Sequence, residues 1–242
     1  MKLEDSVVVV TGGNRGFGQH LVSQLIERGA KVYAAARRPE TVQTPGAIPL
    51  QLDITDPESV AAAAKTASDA TLLINNAGTH SRAHLMDGDF ESIRHEMEVS
   101  YFGTLNVTRH FAPVIEGNGG GAILNVCSQL SWIHWPDYGA YNGAKAAEWA
   151  MTNVLRQELA PRGILVSGLY VGYMDTEMVS YAPAVLKNDP AAIATLTLDA
   201  LAADEPEIVA DDMTKLIKQN LPAAPGELNG KVVEILTGIL SA

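Results

Sequence analysis

The chain reads as an α/β protein built on a doubly wound parallel β-sheet with helices on both faces. Three observations carry that reading. Short apolar runs alternate with longer helical patterns from the first residues to about position 170. Those runs are almost continuously apolar, as strands covered on both faces should be. A glycine-rich turn, Thr11-Gly12-Gly13-Asn14-Arg15-Gly16-Phe17-Gly18, joins the first run to the first helical stripe.

Strands are expected over 7–11, 31–36, 48–53, 71–75, 122–127 and 164–169. Between the first two, residues 17–28 place Leu21, Val22, Leu25 and Ile26 on one helical stripe that stops at Gly29. Only about ten residues rich in Pro, Thr and Gly separate the second and third strands, so that crossover is expected to be a loop or a single turn. Pro57 opens a helix through Ala67, and two long helices are expected over 89–116 and 138–160. Beyond Gly172 come alanine-rich helical stretches around 175–186, 190–203 and 206–220. The variable segment 173–220 fits two readings, a substrate-binding lid or plain packing helices. Residues 231–242 also fit two: a helical face through Val232, Ile235, Leu236 and Ile239, or an edge strand over 231–236.

At 242 residues, with no Ser/Pro/Gly-rich linker, one domain over 1–242 is expected. Hydrophobic residues at 47% against 19% charged supply a large core and argue against disorder. The single cysteine, Cys127, leaves no internal disulfide and suits a reducing compartment. The N-terminus lacks signal-peptide features, and no apolar run approaches the ~20 residues of a membrane span, so a cytoplasmic location is expected. No metal-ligand cluster is read. A net charge of −11 disfavours nucleic acid and anionic membranes as partners. Against that background Arg15, Arg37 and Arg38 are candidates for an anion site, with solvated surface arginines as the alternative.

The glycine turn lies directly after a buried strand and directly before a helix, where backbone N–H groups and the helix dipole face a pyrophosphate. About twenty positions further, at the end of the second strand, an acidic residue would bond a ribose 2′-hydroxyl. This chain has Arg37 and Arg38 there, and Arg15 inside the loop. Guanidinium groups match a phosphate with directed N–H bonds, so the expected cofactor is NADP(H).

Tyr141 and Lys145 stand one helical turn apart, thirteen residues after Ser128. On one helix face the ammonium can lie beside the phenol and stabilise its phenolate. A phenol that ordinarily titrates near ~10 is then expected to exchange protons closer to neutrality. Such a group does redox chemistry at a carbonyl or alcohol.

The spacing of Gly12, Gly16 and Gly18, the run Asn75-Asn76-Ala77-Gly78, Ser128 after the fifth strand and Tyr141-x-x-x-Lys145 resemble the short-chain dehydrogenase/reductase family as far as about Thr176. The resemblance implies a Rossmann-type fold with Tyr141 as general acid and base. It implies that Lys145 lowers the Tyr141 pKa and bonds the nicotinamide ribose, and that Ser128 bonds the substrate oxygen. Cofactor contacts implied are Gly12, Asn14, Arg15, Gly16, Phe17 and Gly18 in the loop, and Arg37 and Arg38 at the 2′-phosphate. Asp53 and Ile54 would lie at the adenine, and Asn75, Ala77 and Gly78, with Gly172, would line the cofactor. Thr176 would bond the carboxamide. A homodimer or homotetramer is implied too, with the faces of the long helices either pairing subunits or covering their own sheet.

Three departures stand out. Ser100 occupies the position of the family's catalytic asparagine, so the water-mediated relay to the lysine is in doubt. Val171-Gly172 replaces a Pro-Gly pair, and the usual Gly-Gly near the last strand is missing. Trp132, Trp135 and Tyr138 lie on the stretch that must pass the substrate, either as an apolar wall selecting a bulky or aromatic carbonyl compound or as core. Cys127 is expected to be an inert core thiol. His80 and His84 are placed near the pocket entrance and His134 on a loop, none with a catalytic role. The function expected is an NADP(H)-dependent oxidoreductase acting on a ketone, aldehyde or secondary alcohol, with a small-molecule substrate, as in a carbonyl reductase. The alternatives are an imine or activated double-bond reductase, or a cofactor-binding sensor without turnover.

Overall fold

Strands β1 (Val7–Thr11), β2 (Lys31–Ala36), β3 (Ile48–Gln51), β4 (Leu72–Asn75), β5 (Gly121–Val126), β6 (Ile164–Tyr170) and β7 (Glu207–Val209) alternate with helices along the chain. In the computed structural model, which describes residues 1–241, they form one sheet in the order β3-β2-β1-β4-β5-β6-β7, every neighbouring pair parallel. Val8 is paired to Val32 on one side and to Leu72 on the other. The strand order reverses between β1 and β4, so the crossovers leave on opposite faces there and a crevice opens at the carboxyl ends. The doubly wound parallel sheet read from the sequence is the observed fold.

Successive side chains of a strand point to opposite faces, and with both faces covered the central strands β1, β4, β5 and β6 are mostly apolar, whereas the edge strand β3 buries only Leu50. Val8 and Val10 enter a core with Leu21 and Leu25 of α1 (Gly16–Glu27) and Leu198 and Leu201 of α6 (Pro190–Ala202). Val9 enters the opposite core, against Val60 of α2 (Pro57–Thr66), Phe111 of α4 (Thr104–Gly117) and Leu155 of α5 (Gly139–Leu159). A third cluster joins Trp132 and Tyr170 to Ile217 of α7 (Asp212–Gln219) and Leu228 and Val232 of α8 (Pro225–Ser241).

The structure corrects three of the element readings and settles a fourth that the sequence leaves open. The stretch 206–220 is not all helix: β7 precedes α7 and pairs with β6, with Ile208 as its one buried apolar side chain. A strand this short shows no period. Around 175–186 there is no α-helix but two single turns of 3₁₀ helix, Glu177–Val179 and Ala184–Leu186. Pro183 between them has no N–H with which to continue a helix. The C-terminal ambiguity resolves as α8; Ala242 lies outside the described residues. The long helix over 89–116 is divided into α3 (Phe90–Met97), a π-helical segment Glu98–Gly103 and α4. A Cβ on Gly103 would stand 2.9 Å from Ile54 Cδ1, so glycine lets this segment close onto the end of the β3 crossover. No helix among the described residues is long and apolar enough to cross a membrane.

Candidate active site

The cradle begins where β1 ends. Gly12 and Gly16 have φ of +64° and +54°, the left-handed region that side chains disfavour. At Gly18 the constraint is space: a Cβ would fall 2.2 Å from Gly12 O and 2.5 Å from Asn76 Nδ2. Helix α1 starts at Gly16, and its first-turn N–H groups have no partner within the helix. Phe17 sends its ring into the core, so it serves the cradle through its backbone alone.

Asn76 clasps the turn: its Nδ2 donates to Thr11 O at 2.9 Å and Gly12 O at 3.2 Å, while Thr11 Oγ1 accepts from the N–H groups of Asn76 and Ala77. Asn75 can line the crevice only through its backbone. Its side chain points into the sheet, where Nδ2 donates to Asn125 Oδ1 at 2.9 Å and Thr108 Oγ1 at 3.1 Å. Gly78 follows as an exposed position past the clasp.

Arg37 and Arg38 are exposed at the end of β2, and neither makes a salt bridge among the described residues. Arg15 pairs with Glu177 at 2.7 Å. Asn14 Nδ2 donates to Thr41 Oγ1 at 2.9 Å, tying the loop to the turn after β2. Asp53 accepts from the N–H and hydroxyl of Thr55; partial burial pushes its carboxyl up, but these bonds outweigh it and hold the group below its ordinary value. Ile54 is buried behind it. Thr176 Cγ2 lies 3.5 Å from where a Cβ on Gly16 would stand, and Gly172 N donates to Asp211 Oδ2 at 2.7 Å. The segment after β6 therefore borders the glycine loop.

Ser128 follows β5 and its Oγ accepts from Leu130 N at 3.1 Å. Tyr141 sits in the first turn of α5 and Lys145 one turn on. Lys145 Nζ donates to Val126 O at 2.8 Å and to Glu148 Oε2 at 2.5 Å, with Lys145 only 5% and Glu148 only 2% exposed. Burial alone would lower the lysine; the Glu148 carboxylate overcomes it and holds the ammonium well above its ordinary value.

The phenol is the main electrostatic correction. Burial pushes Tyr141 up, Lys145 pulls it down, Glu148 and Glu96 push it up again and Ser128 pulls it down, leaving it above its ordinary value. The depression expected from Lys145 alone is not what the surroundings produce. Glu148 and Glu96 went unread in the sequence. Their signals were present: Glu148 follows Lys145 by three on the Tyr141 face of α5, and Glu96 precedes Ser100 by four.

Ser100 lies in the π-helical segment, buried, and its Oγ has no partner among the described residues. Glu96 is fully buried; Oε1 accepts from Ser81 N, Oε2 has no such partner, and burial raises its carboxyl.

An aromatic wall borders Tyr141. The His80 ring meets it edge-on at 5.1 Å and stacks on Tyr138 at 5.3 Å and Tyr181 at 5.8 Å, while Tyr138 and Tyr173 share a 2.8 Å hydroxyl bond. Burial first, then the Arg82 charge, depress the His80 imidazole to about 4, so it is neutral at physiological pH. Arg82 lies 4.6 Å over the Tyr181 ring. Of the three wall candidates, only Tyr138 reaches Tyr141's neighbourhood through such a stack. Trp132 stacks on Tyr170 at 4.2 Å in the third core cluster, so its pocket reading is corrected to core, and Trp135 packs against that cluster. Cys127 is buried and its thiol pushed up by burial, as an inert core thiol should be.

Comparisons with known proteins identify the family and the fold. The family model for short chain dehydrogenase matches residues 6–185. An NADPH-dependent 1-acyldihydroxyacetone phosphate reductase of Schizosaccharomyces pombe is 32% identical over 74% of this chain but 63% of its own length, less than two thirds of that relative. A 3alpha-hydroxysteroid dehydrogenase of Mediterraneibacter gnavus is 29% identical over 94% of this chain and 96% of its own. Among solved structures, a short chain dehydrogenase from Burkholderia cenocepacia in complex with NADP is 40% identical, with a TM-score of 0.91 over 96% of this chain and 99% of that one.

Proposed function

This chain belongs to the short-chain dehydrogenase family of oxidoreductases, and from that membership and the site geometry we propose that it transfers hydride between NADP(H) and a ketone, aldehyde or secondary alcohol. The observation that carries this reading is the placement of Ser128, Tyr141 and Lys145 together at the carboxyl end of β5, beside the crevice that the glycine loop opens.

The residues present fit the cofactor. Gly18 lets the Gly12 carbonyl and the Asn76 amide close on the start of α1, and the α1 N-terminus offers unpaired N–H groups to a pyrophosphate. Arg37 and Arg38 supply cations where a 2′-phosphate would stand, with Arg15 within the loop. Lys145 would bond the nicotinamide ribose and Thr176 the carboxamide. When bound, the nicotinamide supplies or accepts the hydride. Ser128 would hydrogen-bond the substrate oxygen, and Tyr141 would give that oxygen its proton during reduction and recover it during oxidation. The rings of His80, Tyr138 and Tyr181 support a bulky or aromatic carbonyl compound as substrate. The NADP-bound structure and the two relatives, one named an NADPH-dependent reductase and the other a hydroxysteroid dehydrogenase, lend support to this reading.

Following nicotinamide absorbance with NADPH and a panel of aromatic and aliphatic ketones tests it; silence across the panel with cofactor binding intact would count against turnover. Tyr141→Phe should lower kcat/KM by about 10²- to 10⁴-fold while NADPH affinity is retained. Substantial residual activity would refute the proton donor. Subunit pairing is proposed through the exposed Phe102 and Val154 and the groove between α4 and α5. Val154→Glu should then give a smaller species in sedimentation, and an unchanged species would remove this face from the assembly.

A further inference from the structure

The stripe of α5 that faces the sheet carries Lys145, Glu148, Thr152, Leu155 and Leu159, all buried. A carboxylate in such a stripe is costly unless paired, and nothing in the packing of the helix requires one. Glu148 is paired with the one lysine at the site. An ammonium has three protons to give. One goes to Val126 O and one to Glu148, leaving a single N–H for anything else Lys145 must hold.

Charge is the second consequence. Wherever the proton of the 2.5 Å contact resides, the Lys145–Glu148 pair has no net charge. The other groups facing Tyr141 do not restore a positive one. From α3 comes Glu96, bonded to Ser81 N; from the end of β5 comes the uncharged Ser128. From the loop after β4 comes neutral His80, with Arg82 beyond it over Tyr181 and Tyr138.

We propose that Glu148 is a positioning residue of this site: it fixes Lys145 and cancels its charge beside Tyr141, holding the phenol in its protonated, donor form and suiting the site to carbonyl reduction. The inference rests on the oxidoreductase reading above. In the step it favours, the carbonyl carbon receives a hydride from NADPH and the C=O π bond breaks. The oxygen takes the Tyr141 proton to give the alcohol, and NADP is left oxidised. The phenolate regains a proton from solvent water before the next turnover.

Glu148→Gln keeps the size and an oxygen for Lys145 but removes the charge; Glu148→Asp keeps the charge. The alkaline limb of kcat/KM for reduction, where the donor proton is lost, should move about one to three pH units lower in the glutamine variant and return in the aspartate variant. A folded, active E148Q enzyme with an unmoved limb would overturn the proposal, since a merely structural pair predicts that result. A second measurement needs neither turnover nor a variant at Glu148. With tyrosine labelled at Cζ, the Tyr141 resonance, identified by its loss in Tyr141→Phe, should remain that of a neutral phenol from about pH 6 to pH 9, below the ordinary phenol value. A phenolate signal in that range overturns the role of Glu148. Failure of every carbonyl substrate, with the resonance still neutral, would instead count against the oxidoreductase reading.

Discussion

Gly18 shows how a single residue constrains the cradle, because its neighbours leave no room for a methyl group. In Gly18→Ala the new Cβ must displace either the Gly12 carbonyl or the Asn76 amide, the two groups that shape the turn. Overpacking of this kind costs about 1–3 kcal/mol, and the expected result is a lower denaturation midpoint together with lost NADPH binding, read by fluorescence titration. His80 gives a pH prediction. Its folded value of about 4 lies below the 6.5 of a free imidazole, so above 6.5 its contribution to stability is fully present. As pH falls from about 6.5 towards 4 the unfolded chain takes up a proton that the folded chain refuses, and stability declines. His80→Phe keeps the ring stack and removes the proton site, so its urea midpoint should fall less than that of the parent between pH 7 and pH 5; parallel declines would remove His80 from the account. Tyr141 and Lys145 were legible in the sequence because a spacing of four on a helix is a geometric statement. The environment that tunes them was not, because Glu148 on a helix reads as a solvated charge until burial is known. Asn75 and Asn76 were legible as a pair but not in their division of labour, which depends on the Asn75 amide turning into the sheet and the Asn76 amide, past the end of β4, turning to the glycine loop.

At the scale of elements, a long amphipathic period or a strong cap made a segment legible, and shortness or a proline hid it. Helix α1 was visible from its stripe and its terminal glycine, and β1, β2, β4, β5 and β6 from their nearly continuous apolar runs. The three residues of β7 hold too little pattern to be told from the helix that follows. Their position depends on hydrogen bonds from β6 and on Asp211, which begins α7. Asp211 Oδ1 accepts from Thr214 N at 2.9 Å, and Oδ2 accepts from Thr214 Oγ1 and Gly172 N, both at 2.7 Å. One side chain thus caps α7 and holds the turn after β6 that borders the glycine loop. Asp211→Ala should cost about 1–2 kcal/mol as a lost cap and more for the stranded Gly172 N–H. Asp56→Ala at the start of α2 loses a single bond, to Glu58 N, and serves as the control. Chemical denaturation should rank the two losses in that order, and only Asp211→Ala should raise KM for NADPH. Equal effects on both counts would show that Asp211 acts as a cap alone.

Across the whole molecule, 28 acidic against 17 basic side chains give a surface whose field repels anions, yet the cofactor proposed for it is an anion. The fold resolves this conflict locally. The parallel sheet gathers the carboxyl ends of β1, β2 and β4 on one edge, and this brings Arg15, Arg37, Arg38 and the α1 N-terminus around one crevice. Arg15 is held there by Glu177, which a 2′-phosphate would have to displace, whereas Arg37 and Arg38 have no such competitor among the described residues. Two consequences can be measured together by thermal melting. NADPH at about a hundred times its Kd should stabilise the chain by roughly 2.7 kcal/mol, or roughly 5–10 °C for a domain of this size. At the same concentration NADH, which lacks the phosphate, should give a smaller shift, and the gap should narrow as salt screens the arginines. In Arg37→Asp the NADPH shift should fall and the NADH shift should rise, because a carboxylate at that position repels the phosphate and can accept from a ribose hydroxyl. Equal shifts for the two nucleotides in the parent chain would place the phosphate outside the reach of these arginines and leave the acidic field as the dominant influence on cofactor choice.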